Sequence, residues 1–128
     1  MAVDFDDVRR VGLALPGAVA GTMYGAPALK VNGQMFVCVA SHSSSEPNSL
    51  VVRTSYESRD ALIAEDPATY YVTDHYLGYP SVLVRLDRVH PDALPDLVRM
   101  GWRYVSARRE RRNRPRVAPG RAARTPRS

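Results

Sequence analysis

Ala28-Leu29-Lys30-Val31-Asn32-Gly33-Gln34-Met35-Phe36-Val37-Cys38-Val39 is the stretch on which the fold turns. Asn-Gly between two apolar runs is the favoured two-residue type I′ hairpin turn, because both central positions need positive φ. That turn pairs Val31 with Gln34, Lys30 with Met35, and Leu29 with Phe36. Alternation then groups Leu29, Phe36 and Cys38 on one face, and Lys30, Met35, Val37 and Val39 on the other.

Upstream, Val3-Asp4-Phe5-Asp6-Asp7-Val8 carries a complete helix start. Asp4 suits the N-cap, Asp7 the reciprocal capping position three residues on, and Val3 with Val8 the hydrophobic staple. The apolar stripe runs through Leu15, and Pro16-Gly17 ends it. A glycine-rich loop is expected from there to the hairpin. Downstream, His42 to Asn48 reads as a polar loop and Ser49 to Thr54 as a third strand. Tyr56 to Asp66 reads as a helix stopped by Pro67, and Tyr70 to Thr73 as a short strand. A tyrosine-rich loop, Asp74 to Pro80, leads to a strong strand at Ser81 to Asp87. The last helix starts near Asp92 and keeps Leu94, Leu97, Val98, Gly101 and Val105 on its buried stripe. The order implies an α+β domain, an antiparallel sheet with helices packed on one face.

Charge is split along the chain. Residues 103–128 hold ten arginines and one acid, Glu110, while the first 102 residues hold eight basic and twelve acidic side chains. A body of net −4 therefore carries an end of net +9, which together make the chain's +5. We expect one domain over residues 1–107 and a disordered basic tail over 108–128, since beyond Asn113 come prolines, a glycine and no apolar stripe. No apolar run approaches the roughly 20 residues of a membrane span. The acidic start, Met1 to Arg10, lacks a signal-peptide pattern, so a cytoplasmic protein is the expectation. Cys38 is the single cysteine, which leaves no internal disulfide and no thiol-rich metal site.

Several of these segments resemble the MmcQ/YjbR family of small bacterial domains, whose fold is similar to CyaY, the bacterial frataxin. The resemblance is carried by Asp7-Val8-Arg9 leading to Ala14-Leu15-Pro16-Gly17, then Gly25-Ala26-Pro27-Ala28-Leu29-Lys30-Val31 and Asn32-Gly33-Gln34-Met35-Phe36. It continues through Leu50-Val51-Val52-Arg53, the Ala61-Leu62 helix and Trp102-Arg103-Tyr104-Val105. It covers residue 3 to about residue 109. Leu29 departs from the aromatic common there, and the basic extension lies outside the shared domain. The resemblance implies a protein of the kind often labelled DNA-binding, with no catalytic motif. Iron binding on an acidic ridge, known for the frataxin-like fold, would fall on Asp4, Asp6 and Asp7, which capping and the helix dipole already explain.

The residues themselves point the same way. Lys30, Arg53 and Arg85 alternate onto one face of the expected sheet, where three cations could track a phosphate backbone or simply be solvated. Arg108, Arg109, Arg111, Arg112, Arg114 and Arg116 form an arginine run that supplies sequence-independent affinity for polyanions. The outer face also carries Met35, Val37, Val51 and Leu83, which suits a covered face, a protein partner or a second copy of the chain in a homodimer. The tyrosines read as packing for a loop, and Cys38 as an inert core thiol. His42 and His75 stand apart in sequence without metal spacing, and no phosphate-cradling glycine loop or nucleophile elbow is present. The expectation is a non-enzymatic nucleic-acid-binding protein, DNA being the preferred partner, without cofactor, metal or membrane. The alternatives are an interaction module on the outer sheet face, or a small-molecule pocket near Asp74–Pro80.

Overall fold

A computed structural model describes residues 3–113 of the chain, with side chains as far as Arg108. Helix α1 (Phe5–Leu13) starts as its residues dictate. The Asp4 carboxylate accepts the Asp7 N–H and the Asp7 carboxylate accepts the Asp4 N–H, both at 3.1 Å. The hydrogen bond with the Asp4 backbone is the main cause that holds the Asp7 carboxyl below the usual carboxylate range. Val3 and Val8 are both buried beside this cap.

Six strands follow in one antiparallel sheet: β1 (Ala18–Met23), β2 (Ala26–Val31), β3 (Gln34–Val39), β4 (Ser49–Arg53), β5 (Tyr70–Tyr71) and β6 (Ser81–Arg85). Their order across the sheet is β1-β2-β3-β4-β6-β5. Helix α2 (Tyr56–Glu65) leads from β4 to β5. After β6, a 3-10 turn at Pro91–Ala93 leads into the long helix α3 (Leu94–Asn113). The sheet face bearing Leu29, Val31, Leu50, Val52, Val82 and Val84 meets Val8 of α1, Leu62 and Ile63 of α2, and Leu97, Val98 and Val105 of α3. The α+β layering, helices on one face of an antiparallel sheet, is therefore as the sequence implies.

Three details differ from expectation. Residues 18–23, expected as loop, form edge strand β1. It is joined to β2 by a second tight turn whose central residues, Tyr24 and Gly25, have φ of 52° and 79°, nearly the values of Asn32 and Gly33 at 54° and 79°. Tyrosine is a poor marker for that backbone region, so the turn carried no sequence signature.

The second difference is register. Val31↔Gln34 and Lys30↔Met35 pair as the turn requires, but the next pairs are Leu29↔Val37 and Ala28↔Cys38. Phe36 is an extra residue, a β-bulge, and one extra residue reverses the facing of everything beyond it. Val37 consequently lies in the main core. Cys38 sits on the opposite face, buried with Ala28, Val51 and Leu83. Burial pushes its thiol up to about 11.

Third, the expected boundary after residue 107 falls inside α3. Residues 108–113 are helical rather than disordered, because arginine is a good helix former and Pro115 first interrupts the run two residues beyond Asn113. The remainder of the expected tail, 114–128, lies outside the described residues.

Gly101 sets how closely α3 lies on the sheet. A Cβ there would stand 2.6 Å from the Phe36 carbonyl oxygen and 3.4 Å from that of Arg53. Both are backbone atoms that cannot turn aside. Gly101→Ala should therefore lower the unfolding free energy by about 2–3 kcal/mol, even though alanine is the better helix former. Urea denaturation followed by far-ultraviolet circular dichroism measures it, and a neutral or stabilising result would show that α3 sits farther from β3 and β4.

Candidate nucleic-acid interface

Alternation places a side chain on a face but says nothing of its position along the strand, and here position separates the three strand cations. Arg53 pairs with Ser81 and Arg85 with Ser49, at opposite ends of the β4–β6 pair. Four residue steps along β6 amount to about 13 Å. They do not form one track.

Arg85 is committed within the fold. Its Nε and Nη2 donate to the two Glu46 carboxylate oxygens at 2.8 and 2.7 Å, and its Nη1 donates to the Pro67 and Ala68 carbonyls at 3.0 and 3.1 Å. Its guanidinium also lies 4.2 Å from the Tyr71 ring centroid. The side chain bolts the β3–β4 loop to the α2–β5 turn and has little donor capacity left for a phosphate. Lys30 extends along β1, its aliphatic stem against Gly21, where a Cβ would meet Cδ and Cε at 3.5 Å.

Arg53 is the strand cation that joins the helix. As the last residue of β4 it places its guanidinium 5.5 Å from the centroid of the Tyr104 ring on α3. Arg108, one helical turn beyond Tyr104, places its own at 5.7 Å from the same centroid. Two cations thus share one aromatic ring, an arrangement that attracts each to the ring and repels them from one another. Burial first, and then the like charge of Arg108, push the Arg53 guanidinium below its usual value, though an arginine stays a cation in any protein. Gly101 makes the site possible, because the backbone of Arg53 lies directly under it.

The surrounding charges sharpen the contrast. Arg9, Arg10, Arg59, Arg85 and Arg99 each lie within ion-pair distance of a carboxylate, at 2.6, 3.2, 3.0, 2.7 and 3.7 Å. Among the described residues Arg53 and Arg108 have no such partner, and neither do the exposed Arg88 and Arg103; what sets Arg53 and Arg108 apart is that they share one ring. Arg109, Arg111 and Arg112 continue along α3 from this point. Arg114 and Arg116 lie outside the described residues.

Tyr104 went unread as a site residue, although its four-residue spacing to Arg108 is the spacing of helix neighbours. Nothing local to Arg53 signals its partner. Arg59 was also missed. It is a buried cation bonded to Asp60 and to the Leu77 carbonyl at 3.0 Å each. With the hydroxyl of Tyr56, which donates to the Gly78 carbonyl, it holds the tyrosine-rich loop. That loop and its neighbours cover the outer sheet face, since Tyr71, Tyr76, Met23, Met35 and Ala40 pack over the cluster around Cys38. The expected pocket at Asp74–Pro80 is not where an open cavity of about 420 Å³ lies. The cavity is bordered by Glu46, Pro67, Arg85, Asp87 and Arg88. Among the described residues no group of three metal-ligating side chains comes together, and no helix is long and apolar enough to cross a membrane.

A family model described as YjbR matches residues 13–104. Uncharacterized proteins of Mycobacterium bovis and Mycobacterium tuberculosis are each 42% identical over 64 residues, 47% of this chain and 50% of theirs. The chain thus spans about half the length of the curated relatives it matches. The crystal structure of the Deinococcus radiodurans protein DR2400, with a domain described as DUF419, superposes with a TM-score of 0.67 at 21% identity. It covers 94% of this chain and 96% of that one.

Removing Arg85 and removing Arg53 should have opposite signatures. Arg85→Gln should lower the melting temperature by on the order of 4 °C, through loss of the bidentate clamp. The hydrogen bond from Arg85 holds the Glu46 carboxyl below the usual carboxylate range. The ionic part of the clamp therefore contributes fully above that range and is lost as pH falls through the folded-state value, so the wild-type advantage over Arg85→Gln should shrink on acidification to what the Pro67 and Ala68 carbonyl bonds and the Tyr71 contact supply. Arg53→Gln should leave the melting temperature within about 2 °C, since it removes a like-charge neighbour along with a ring contact. Thermal melts of both variants at neutral and acidic pH check this.

Proposed function

We propose that this chain, which belongs to the YjbR family, binds nucleic acid without strong sequence preference, through a basic surface that begins at Arg53, Tyr104 and Arg108 and runs along α3. The observation that supports this most is the unequal treatment of its arginines. Of the nine arginines with described side chains, five are neutralised by carboxylates, Arg88 and Arg103 stand exposed and apart, and Arg53 and Arg108 sit together on one ring with no carboxylate partner among the described residues. Uncompensated guanidiniums held close to one another are relieved by an anion, and phosphate accepts the guanidinium fork in a bidentate manner. The arginines that follow in the sequence multiply this attraction through counterion release.

In this proposal the protein is not an enzyme and uses no cofactor. It works in the cytoplasm, and DNA is the preferred partner. The α+β body positions the helix, and the segment beyond Asn113 adds affinity through Arg114 and Arg116. Lys30 and Arg85 contribute little, because one lies along β1 and the other is bonded within the fold. Contacts to phosphates from a helix flank carry no base information, hence the weak sequence preference.

Four to six phosphate contacts would give log K for duplex DNA a slope of roughly −4 to −5 against log salt. Arg53→Gln with Arg108→Gln should reduce that slope by about 2, and Arg85→Gln should not change it. Replacing Arg109, Arg111, Arg112, Arg114 and Arg116 by Gln should remove most of the rest. Fluorescence polarisation with two unrelated duplexes over a salt series measures all of these. Absence of binding at low salt, where attraction is strongest, would end the nucleic-acid proposal.

A further inference from the structure

The sheet has two unlike edges, β1 and β5. β5 is two residues long, and Tyr70 in it is buried. β1 is six residues long, and Val19, Ala20, Gly21 and Thr22 are all exposed. Long edge strands are ordinarily guarded by a charge, a proline or a bulge, any of which stops a second strand from pairing there. Ala18-Val19-Ala20-Gly21-Thr22-Met23 has no charge and no proline, and its register against β2 runs unbroken.

The Tyr24-Gly25 turn fixes which backbone groups of β1 are free. A two-residue hairpin turn closes with its flanking residues hydrogen-bonded to each other, and these are Met23 and Ala26. Bonded and non-bonded pairs alternate along an antiparallel ladder. Met23, Gly21 and Val19 therefore turn their N–H and C=O groups toward β2, while Thr22, Ala20 and Ala18 turn theirs outward. Ala18 and Pro27 agree with this. The Ala18 N–H donates to the Leu15 carbonyl at 3.2 Å, not to β2. Pro27 stands opposite Thr22, where no bond to β1 is due and a missing N–H costs nothing. Among the described residues Ala20 and Thr22 make no backbone bond outside the ladder.

We propose that β1 is a self-association edge, which pairs antiparallel with β1 of a second copy of the chain about a two-fold axis at Ala20 and joins the two sheets into one. Outward residues must face outward residues in such a join, and the two-fold axis makes every pair reciprocal. With Ala20 opposite Ala20 of the second copy, Ala18 faces Thr22 and Thr22 faces Ala18. The Ala20 pair exchanges both its N–H···O bonds, and each Thr22 N–H meets an Ala18 carbonyl.

The occupant is a second copy because the strand complements itself. Val19, 56% exposed, comes to lie beside Gly21 of the second copy. Gly21 has no side chain, and the Lys30 stem lies against it, with Cδ and Cε 3.5 Å from a would-be Cβ. The exposed isopropyl group thus meets methylenes. Moving the axis to Gly21 would set Gly21 opposite Gly21 and bring the two Lys30 ammonium groups together, which like charge disfavours. Just past the paired stretch, Tyr24 comes beside Pro16-Gly17 of the second copy. Tyr24 is 90% exposed and held at φ 52°, a backbone region uncommon for tyrosine. The contact is small, at the low end of specific interfaces and below about 1,200 Å² in total, so the dimer should dissociate on dilution.

Sedimentation velocity of the full chain, in about 0.5 M salt to screen association through the basic end, should show a dimer whose share grows between about 10 μM and about 500 μM. Ala20→Pro removes an outward N–H and leaves the β1–β2 ladder intact, and Val19→Lys adds a cation beside Lys30 of the second copy. Each should weaken the dimer by about tenfold or more while circular dichroism shows the fold retained. Cross-linking reads the register. Under mild oxidation Ala20→Cys should link to itself, because bonded antiparallel pairs hold their Cα atoms about 5.5 Å apart, within disulfide reach. Thr22→Cys should not, since its twin stands four residue steps along the strand, about 13 Å away. Cys38 is buried and takes no part. A monomer at every concentration, a dimer unchanged in both Ala20→Pro and Val19→Lys, or a self-link as strong in Thr22→Cys as in Ala20→Cys overturns the proposal. The last criterion stands even if Ala20→Pro does not fold.

Discussion

The close approach of α3 to the sheet at Gly101 is the constraint on which the rest of the molecule depends. A helix normally lies on a sheet with side chains between them, but here a would-be Cβ at Gly101 meets the carbonyl oxygen of Phe36 at 2.6 Å. Phe36 is the bulged residue of β3, so the irregularity in the strand and the missing side chain in the helix occupy one place. Their contact fixes the height and register of α3. It lets Val98 and Val105 reach the core on either side. The neighbouring Trp102 ties the same part of the helix to the segment after α1, its indole N–H donating to the Pro16 carbonyl at 2.8 Å.

From that placement follows the pairing of Arg53 with Arg108 on Tyr104. Neither arginine gains from the other, and the shared ring offsets only part of their repulsion. Stability alone would favour a carboxylate nearby, as the fold provides for Arg9, Arg10, Arg59, Arg85 and Arg99. A site that keeps two cations together with no acid among the described residues suits an anion that arrives from outside. In Arg85 the same side chain does the opposite work, holding two loops together with nearly all its donors.

The far face of the sheet shows how a half-apolar surface is kept from water without a helix. Ala28, Cys38, Val51 and Leu83 are covered by Tyr71 of β5 and Tyr76 of the β5–β6 loop, with Met23, Met35 and Ala40 beside them. These segments are held by local polar contacts: the Tyr71 hydroxyl on the Ser49 hydroxyl and the Glu46 N–H, Tyr56 on Gly78, and His42 on His75. Such a cover is less committed than a packed helix, because it buries little apolar area of its own and depends on groups that water or protons can reach.

The sequence by itself determined what is local or periodic. The capping box at Asp4 and Asp7, the Asn32-Gly33 turn, the strands of β-branched residues, the stripe of α3, the α+β layering and the family resemblance were all legible, because each depends on residues a few positions apart. The basic end was legible as well, being a matter of composition. Alternation assigned Lys30, Arg53 and Arg85 to a common face, yet register decided that Arg53 and Arg85 lie at opposite ends of a strand pair. One bulged residue exchanged the faces of Val37 and Cys38. Strand β1 was hidden because a Tyr-Gly turn lacks the usual marker. Tertiary structure alone brought Arg53 to Arg108, Arg85 to Glu46, and His42 to His75, over separations of 55, 39 and 33 positions. Contacts across such spans are set by where whole helices and strands come to rest on the core. That resting place depends on close-packed volume, as at Gly101 over Phe36, which no short window of residues encodes.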